Sequence, residues 1–407
     1  MSILLPVADV GLLLEAFRQH WQLGRNSDPS VASKEPLFYP SLTVIRPIRG
    51  LDVEALDNLR AALDMDYPAK VETLFVLDDD QDPALPLIRQ TLAEAKLDGR
   101  TVDARVVFSG QPPAGRTGKL NAMIAGLEQA RGELVAFADS DIRPGPSALR
   151  ILVRTLLGEP DYGAAFAPVF VALPPKTVGD AGYALLLNGL YAPAFNFVAQ
   201  RRHGSMPFIM GELMVFRREA IQAIGGLEAA EGQLVDDMYI GARITRAGYR
   251  NVVSPCRIPI IQQNLSLSAF LSIYVRWLAF SRSGLPGKAF KLVSWKRGIL
   301  FWSGLALAAA GLVKRRWSVA ALAASVPVLT AASINALHRQ QSGKRLPLRY
   351  AWVGFALVLT APLVMARVLW RREVDWRGRR YALDQSSRLA EQGSGVRKPR
   401  NGPRAPS

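Results

Sequence analysis

A chain of 407 residues, 49% of them hydrophobic, can build one large α/β domain plus an appendage. Its single cysteine, Cys256, excludes a disulfide framework and a cysteine-based metal site, and fits a reducing compartment. The net charge of +16 suggests a nucleic-acid binder until it is located: residues 291–370 hold eleven Lys/Arg and no acid, and residues 371–407 hold ten Lys/Arg against four acids. Residues 291–407 thus carry +17 and residues 1–290 about −1. The surplus flanks apolar segments, where basic residues meet lipid phosphates, so it points to a membrane and away from nucleic acid.

In chain order, residues 3–17 are apolar but contain Asp9 and Glu15. They lack a basic start and a small-residue cleavage site, so residues 1–40 read as an interfacial or soluble helix and linker rather than a signal peptide. Residues 41–290 form the expected catalytic domain. Its first part alternates strands at 42–46, 71–77, 102–108 and 134–138 with helices at 55–63, 84–97 and 120–130. Such alternation predicts a mostly parallel sheet covered on both faces. Ligands of these sheets bind at the carboxyl ends of the strands.

Residues 291–383 are the expected membrane region, with candidate spans at 298–313, 317–337 and 350–370, the last the most convincing. Three spans would put the tail opposite the catalytic domain, yet every junction is basic. The first stretch is short, and reads as re-entrant or as half of a shallow hairpin with the second. Residues 384–407 read as a disordered basic tail.

Two acid clusters stand at two predicted strand ends. Asp78-Asp79-Asp80-Gln81-Asp82 follows the second strand, where capping aspartates of a solvated loop are the plain alternative. Asp139-Ser140-Asp141 follows the fourth. Two carboxylates so spaced can face one hard cation, magnesium or manganese, that bridges a diphosphate. Between them, Gly115-Arg116-Thr117-Gly118-Lys119 opens a helix, where backbone amides and two cations suit phosphate groups. Asp236-Asp237 stands at a third helix start. It reads as a simple cap or as a general base that takes the proton of an attacking hydroxyl. Arg276 and Trp277 lie in 272–283, an amphipathic stretch just before the membrane candidates.

Taken together these segments resemble the processive-type inverting glycosyltransferases, and within them the ceramide glucosyltransferase-like family. That family carries three spaced aspartates followed by a (Gln/Arg)-x-x-Arg-Trp box. Asp79, Asp139-Ser140-Asp141, Val235-Asp236-Asp237 and Val275-Arg276-Trp277 match these in order, and the resemblance spans residues 40–383. Ile45-Arg46-Pro47-Ile48-Arg49-Gly50 resembles the family's opening strand and turn, and 375–381 a juxtamembrane segment after its last span. Ile273 departs from the box, where Gln or Arg is expected.

The resemblance implies a GT-A (nucleotide-diphospho-sugar transferase) fold, C-terminal transmembrane helices, a UDP-sugar donor, a divalent cation (Mn or Mg) and inversion at the anomeric carbon. It implies that Asp79 holds the uracil with Lys119 near it, and that Arg116 serves the phosphates. Asp139 and Asp141 would hold the metal, Asp237 with its neighbour Asp236 would supply the base, and Arg276 and Trp277 would close the site. The acceptor expected is a membrane lipid, a ceramide before a hopanoid, a diacylglycerol or a polyprenyl phosphate; a non-catalytic membrane scaffold is the rival class. The expected location is the cytoplasmic membrane, multi-pass, with the catalytic domain facing the cytoplasm. On this reading the donor site lies entirely before Gly287.

Overall fold

The structure, a computed structural model, describes residues 10–11, 13–15, 17–19, 36–99, 102–284, 287–370, 373–384 and 388–390, without the side chains of 284 and 287–297. The helix expected at 3–17 and the tail beyond 390 therefore lie largely outside the described residues.

The catalytic half is an eight-stranded sheet in the order β3-β2-β1-β4-β8-β5-β9-β7. Strands β1 (Leu42–Pro47), β2 (Val71–Leu77), β3 (Asp103–Phe108) and β4 (Leu134–Ala138) pair in parallel. The second half adds β5 (Tyr162–Phe166), β7 (Ser205–Met206), β8 (Leu213–Arg217) and β9 (Arg250–Val253). Only β8 and β7 run antiparallel to their neighbours. A separate parallel pair joins β6 (Val169–Val171) to β10 (Ile258–Ile260). The expected mostly parallel α/β sheet is thus the one observed.

Local sequence explains the elements. β2 and β4 are buried apolar runs ended by acids, as strands covered on both faces must be. Helices α1 (Ala55–Leu63), α2 (Leu85–Leu97) and α3 (Gly118–Gln129) cross between the parallel strands, and α4 (Ala148–Leu156) follows β4. The α3 start is fixed by Thr117, whose hydroxyl accepts from Leu120 N at 3.1 Å. α5 (Val178–Ala184) opens on a capping box of Thr177 and Asp180 and runs into a π-helical turn, Leu185–Tyr191, then α6 (Ala192–Arg201). α7 (Arg218–Ala223) follows β8, and α8 (Asp236–Arg246) precedes β9.

The C-terminal third is helical: α9 (Leu267–Gly284), α10 (Gly287–Val313), α11 (Trp317–Ser342) and α12 (Val353–Trp370), then a hairpin of β11 (Glu373–Trp376) and β12 (Arg379–Ala382). Among the described residues, Trp317–Ser342 and Leu348–Trp370 are long and apolar enough to cross a membrane, and Gly298–Val313 is shorter. α10 and α11 form a helical hairpin turned at Lys314-Arg315-Arg316. Gly304 and Gly311 let them close up: a Cβ on Gly304 would stand 2.8 Å from Val326, and one on Gly311 2.8 Å from Ala320 N.

The helical part is fastened to the catalytic domain through the π-helical turn. The Asn188 amide accepts from Val171 N at 2.9 Å, donates to Val171 O at 3.1 Å and lies 3.3 Å from His338 Nδ1 on α11. Gly189 packs directly on the Ile334 backbone.

α9 and α12 run side by side in the same direction. Both begin beside α5, where Thr177 Oγ1 donates to Leu265 O at 2.6 Å and Tyr350 OH donates to Lys176 O at 2.5 Å. Both end at the hairpin, where Trp376 packs edge-on against Phe280 at 5.6 Å. The stretch at 350–370, which sequence alone makes the strongest span, is therefore tied to the catalytic domain at both ends. Chain leaving at α10 returns along α11, and the tail hairpin lies on the catalytic side, not opposite it. In Cys256→Ser protein carrying one new cysteine in sealed vesicles, positions 94 and 375 should label from the same face. Labelling from opposite faces would mean that α12 crosses the bilayer.

Candidate active site

The carboxyl ends of β2, β1 and β4 open into a cavity of about 390 Å³. It sits where β1 has parallel neighbours on both sides and the crossovers diverge, the usual place for a ligand in such a sheet. Asp139 and Asp141 enter from the end of β4, Lys119 from α3, Asp236 and Asp237 from the first turn of α8, and Arg276 and Trp277 from α9.

Lys119 stands at the centre. Its ammonium is 2.5 Å from Asp139 Oδ1 and donates to Gly211 O at 3.0 Å. Burial alone would depress it, but Asp139, Asp236 and Asp237 outweigh burial and hold it firmly charged. The carboxylates respond in the opposite sense. Burial, reinforced by Asp139 and Asp52, pushes Asp141 up to about 6. Burial and the charge of Asp236 push Asp237 up to about 7. Burial also raises Asp236, whose Oδ2 has no hydrogen-bond partner among the described residues. Neither acid is the side-chain cap of α8; both lie in its first turn, and Asp237 accepts from Met238 N at 2.7 Å.

Gly211 is placed by close approach. A Cβ there would stand 2.6 Å from Asp237 Oδ2 and 2.9 Å from Asp237 Cβ. The next residue, Glu212, also faces the cavity; burial, then Asp139 and Asp237, push it up to about 8. Trp277 is wedged between Tyr183 at 5.2 Å and Tyr191 at 5.6 Å. Arg276 lies 5.7 Å from the Trp376 ring, and burial brings it down to about 10.

Two expected residues sit elsewhere. Asp79 lines an adjoining cleft of about 260 Å³ with Gln81, Asp82 and Gln111. Asp78 is the β2 acid that reaches the main cavity, paired with Arg49 and with Arg379 at 2.9 Å; it borders both spaces. Arg116 points away, its Nη2 2.5 Å from Glu231 in a pair outside the cavity lining. It lies before the first turn of α3, and only Lys119, within that turn, is turned inward.

Asp52, Arg49, Tyr183 and Glu212 were not legible as site residues, because each is an isolated polar or aromatic residue in a loop or helix. The larger surprise is the far wall. Trp376, Arg377, Arg379 and Tyr381 of the hairpin line the cavity, so the site does not end before Gly287. The basic and aromatic Trp376-Arg377-Gly378-Arg379 turn was the available signal, hidden by its position after an apolar stretch.

Among the described residues, no group of three or more His, Cys, Asp or Glu is arranged to hold a metal. The donor chemistry still suits one. A magnesium-type ion needs only one or two carboxylates when substrate phosphates and water complete its shell. Asp139 and Asp141 offer that pair, and the crowding that raises Asp141 is what a dication relieves.

The chain is similar to known glycosyltransferases. The profile of Glycosyl transferase family 21 matches residues 4–389. Ceramide glucosyltransferase 3 of Caenorhabditis elegans is 23% identical over 363 residues, covering 86% of this chain and 74% of that protein. The ceramide glucosyltransferase of Gibberella zeae is 30% identical over 184 residues, 43% of this chain and 33% of that protein. Among solved structures, the mannosyltransferase PcManGT of Pyrobaculum calidifontis, in complex with GDP-Man and Mn2+, has a TM-score of 0.49 and 19% identity, covering 91% of this chain and 99% of that one.

The geometry makes two expectations. Gly211→Ala should displace the Asp237 carboxylate and lower turnover by about 10- to 100-fold, with nucleotide affinity kept; unchanged turnover would separate Gly211 from Asp237. Arg116→Ala should change nucleotide affinity by less than about twofold, as for a surface ion pair, measured by calorimetry. The chain belongs to glycosyltransferase family 21, with the α/β, GT-A-type architecture expected of it, and is a glycosyltransferase.

Proposed function

We propose that the chain transfers a sugar from a UDP-sugar to the hydroxyl of a membrane lipid, a ceramide by preference, with inversion at the anomeric carbon. One observation carries this reading. A single cavity is walled on one side by strand-end carboxylates and on the other by Ile273, Trp277 and Phe280 of α9, which lies beside the apolar α12. A polar donor and an apolar acceptor can meet there without either crossing the domain. The names of the curated relatives support a lipid acceptor of the ceramide class.

Asp237 is the base. Its carboxyl, held near neutrality by burial and by Asp236, can take the hydroxyl proton as the oxygen attacks. The new carbon–oxygen bond forms as the bond to the diphosphate breaks, and the nucleoside diphosphate departs. Attack in one step from the face opposite the leaving group inverts the anomeric carbon. Asp139 and Asp141 would hold a divalent cation, which when bound neutralises charge on the departing diphosphate. Arg276, with its buried Nε free of hydrogen-bond partners among the described residues, faces the same space as a further cation for the leaving group. Asp78 and Asp79 border the two joined clefts and suit the nucleoside.

The α10–α11 hairpin is the membrane-inserted element in this proposal. α9 and α12 lie along the bilayer surface beneath the catalytic domain, which faces the cytoplasm at the inner membrane. Basic residues after α12 then meet anionic lipid on the catalytic side.

Asp237→Asn should lower transfer by about 10²- to 10⁴-fold while sparing UDP binding. Because the base acts as the carboxylate, kcat/KM of the wild type should fall as pH is lowered through about 7. A near wild-type rate in Asp237→Asn would move the base to another carboxylate. Transfer should also stop in excess chelator and return with manganese or magnesium; full activity in chelator would remove the metal role of Asp139 and Asp141.

A further inference from the structure

We propose that Arg377 and Arg379, carried on the hairpin that follows the last apolar helix, are donor-binding residues that grip the diphosphate. The proposal rests on the nucleotide-sugar reading of the cavity and adds a second, distant stretch of chain to the donor site.

The hairpin is built to present these two side chains. Strands β11 and β12 pair antiparallel, with Trp376 opposite Arg379, and the two turn residues are Arg377 at φ 51° and Gly378 at φ 74°. Positive φ at both positions is the two-residue turn that matches strand twist, and it favours Asn or Gly at the first. An arginine there holds the backbone in a left-handed conformation that L side chains disfavour. A conformation of that kind is tolerated where the side chain has work to do.

Both guanidiniums enter the cavity. Arg377 Nη1 is 2.5 Å from Asp52 Oδ1, and its Nη2 lies 3.4 Å from Ser140 Oγ and 3.9 Å from Asp141 Oδ2. Arg379 Nη2 donates to Asp78 at 2.9 Å and to Gln111 at 2.8 Å. Arg377 thus stands over the ends of β1 and β4, and Arg379 over the end of β2, bracketing the sheet's ligand position. The hairpin is seated at both flanks. Trp376 lies under Arg276 and against Phe280 of α9, and Tyr381 OH accepts from Gly118 N at 3.1 Å. Arg379 fills the space that a Cβ on Gly118 would occupy.

Charge makes the hairpin necessary. Asp52, Asp78, Asp139, Asp141, Glu212, Asp236 and Asp237 line the cavity, against Arg49, Lys119 and Arg276 from the rest of the chain. Lys119 faces Asp139, Arg49 and Arg379 face Asp78, and Arg377 faces Asp52, so even with the hairpin the lining acids outnumber the cations. A diphosphate approaching these acids needs further cations, and the planar fork of arginine fits phosphate oxygens in pairs. Arg377 and Arg379 are the cations that the hairpin adds at this mouth.

The test compares UDP with uridine on full-length protein in detergent, by calorimetry or competition. Arg377→Ala and Arg379→Ala should each weaken UDP by about tenfold or more, with Arg→Lys intermediate, and leave uridine affinity unchanged. Retained uridine binding also reports that the variants are folded. Equal losses for UDP and uridine would make the hairpin a structural cover, and unchanged UDP affinity would remove it from the site; either result overturns the proposal. Wild-type protein that binds no nucleoside diphosphate would sink the nucleotide-sugar reading itself, and the diphosphate grip with it.

Discussion

The rest of the site depends on an imbalance of buried charge. Seven carboxylates converge on one cavity at the carboxyl ends of β2, β1 and β4. Isolated, such groups would protonate or drive the loops apart, since burying unpaired charge is costly. Lys119 holds the centre by facing Asp139, Asp236 and Asp237 together. Burial first, and then the neighbouring carboxylates, still push Asp141, Glu212 and Asp237 towards the neutral form. A cavity whose acids outnumber its cations is suited to a cation–diphosphate pair, and a carboxyl near neutral pH is suited to move a proton.

The helical third and the catalytic half are joined at several places, one of them these acids. The π-helical turn binds α11 through Asn188 and Gly189, α9 brings Arg276 and Trp277 to the rim, and the tail hairpin returns two arginines to the acids. Partners more than three hundred residues apart in sequence, such as Asp52 and Arg377, meet at the mouth. A helical third wired in this way does more than flank the catalytic half. It sets the position of one wall of the site relative to the apolar face of α9.

How much of this was legible in the sequence follows from the kind of signal each part leaves. The bounds of β2 and β4 could be read because a buried parallel strand is a continuous apolar run, and the acids that end it are abrupt. Asp139, Asp141, Asp236 and Asp237 were legible as paired acids at element ends. That Asp78 reaches the main cavity while Asp79 lines only the adjoining cleft was not legible, because adjacent residues on a loop point to different spaces and no periodicity tells which. Arg116 and Lys119 were indistinguishable for the same reason until the start of α3 was fixed. The apolar run of α12 was legible, but its ties to the catalytic domain at both ends were not, because length and apolarity carry no record of tertiary partners. Glu212 owes its place to tertiary contacts alone, and the hairpin arginines left a signal only in the basic, aromatic turn that carries them.

The central claim is that this cavity joins a nucleotide sugar to a membrane lipid. The most direct measurement is expression of the full-length protein in a ceramide-supplied host, followed by mass spectrometry of the lipid extract against an Asp237→Asn control. The account predicts a new hexosyl-lipid mass that appears with the wild type and is absent from the control. A lipid profile identical in the two, with sugar released into water or built into a soluble polymer, would contradict it.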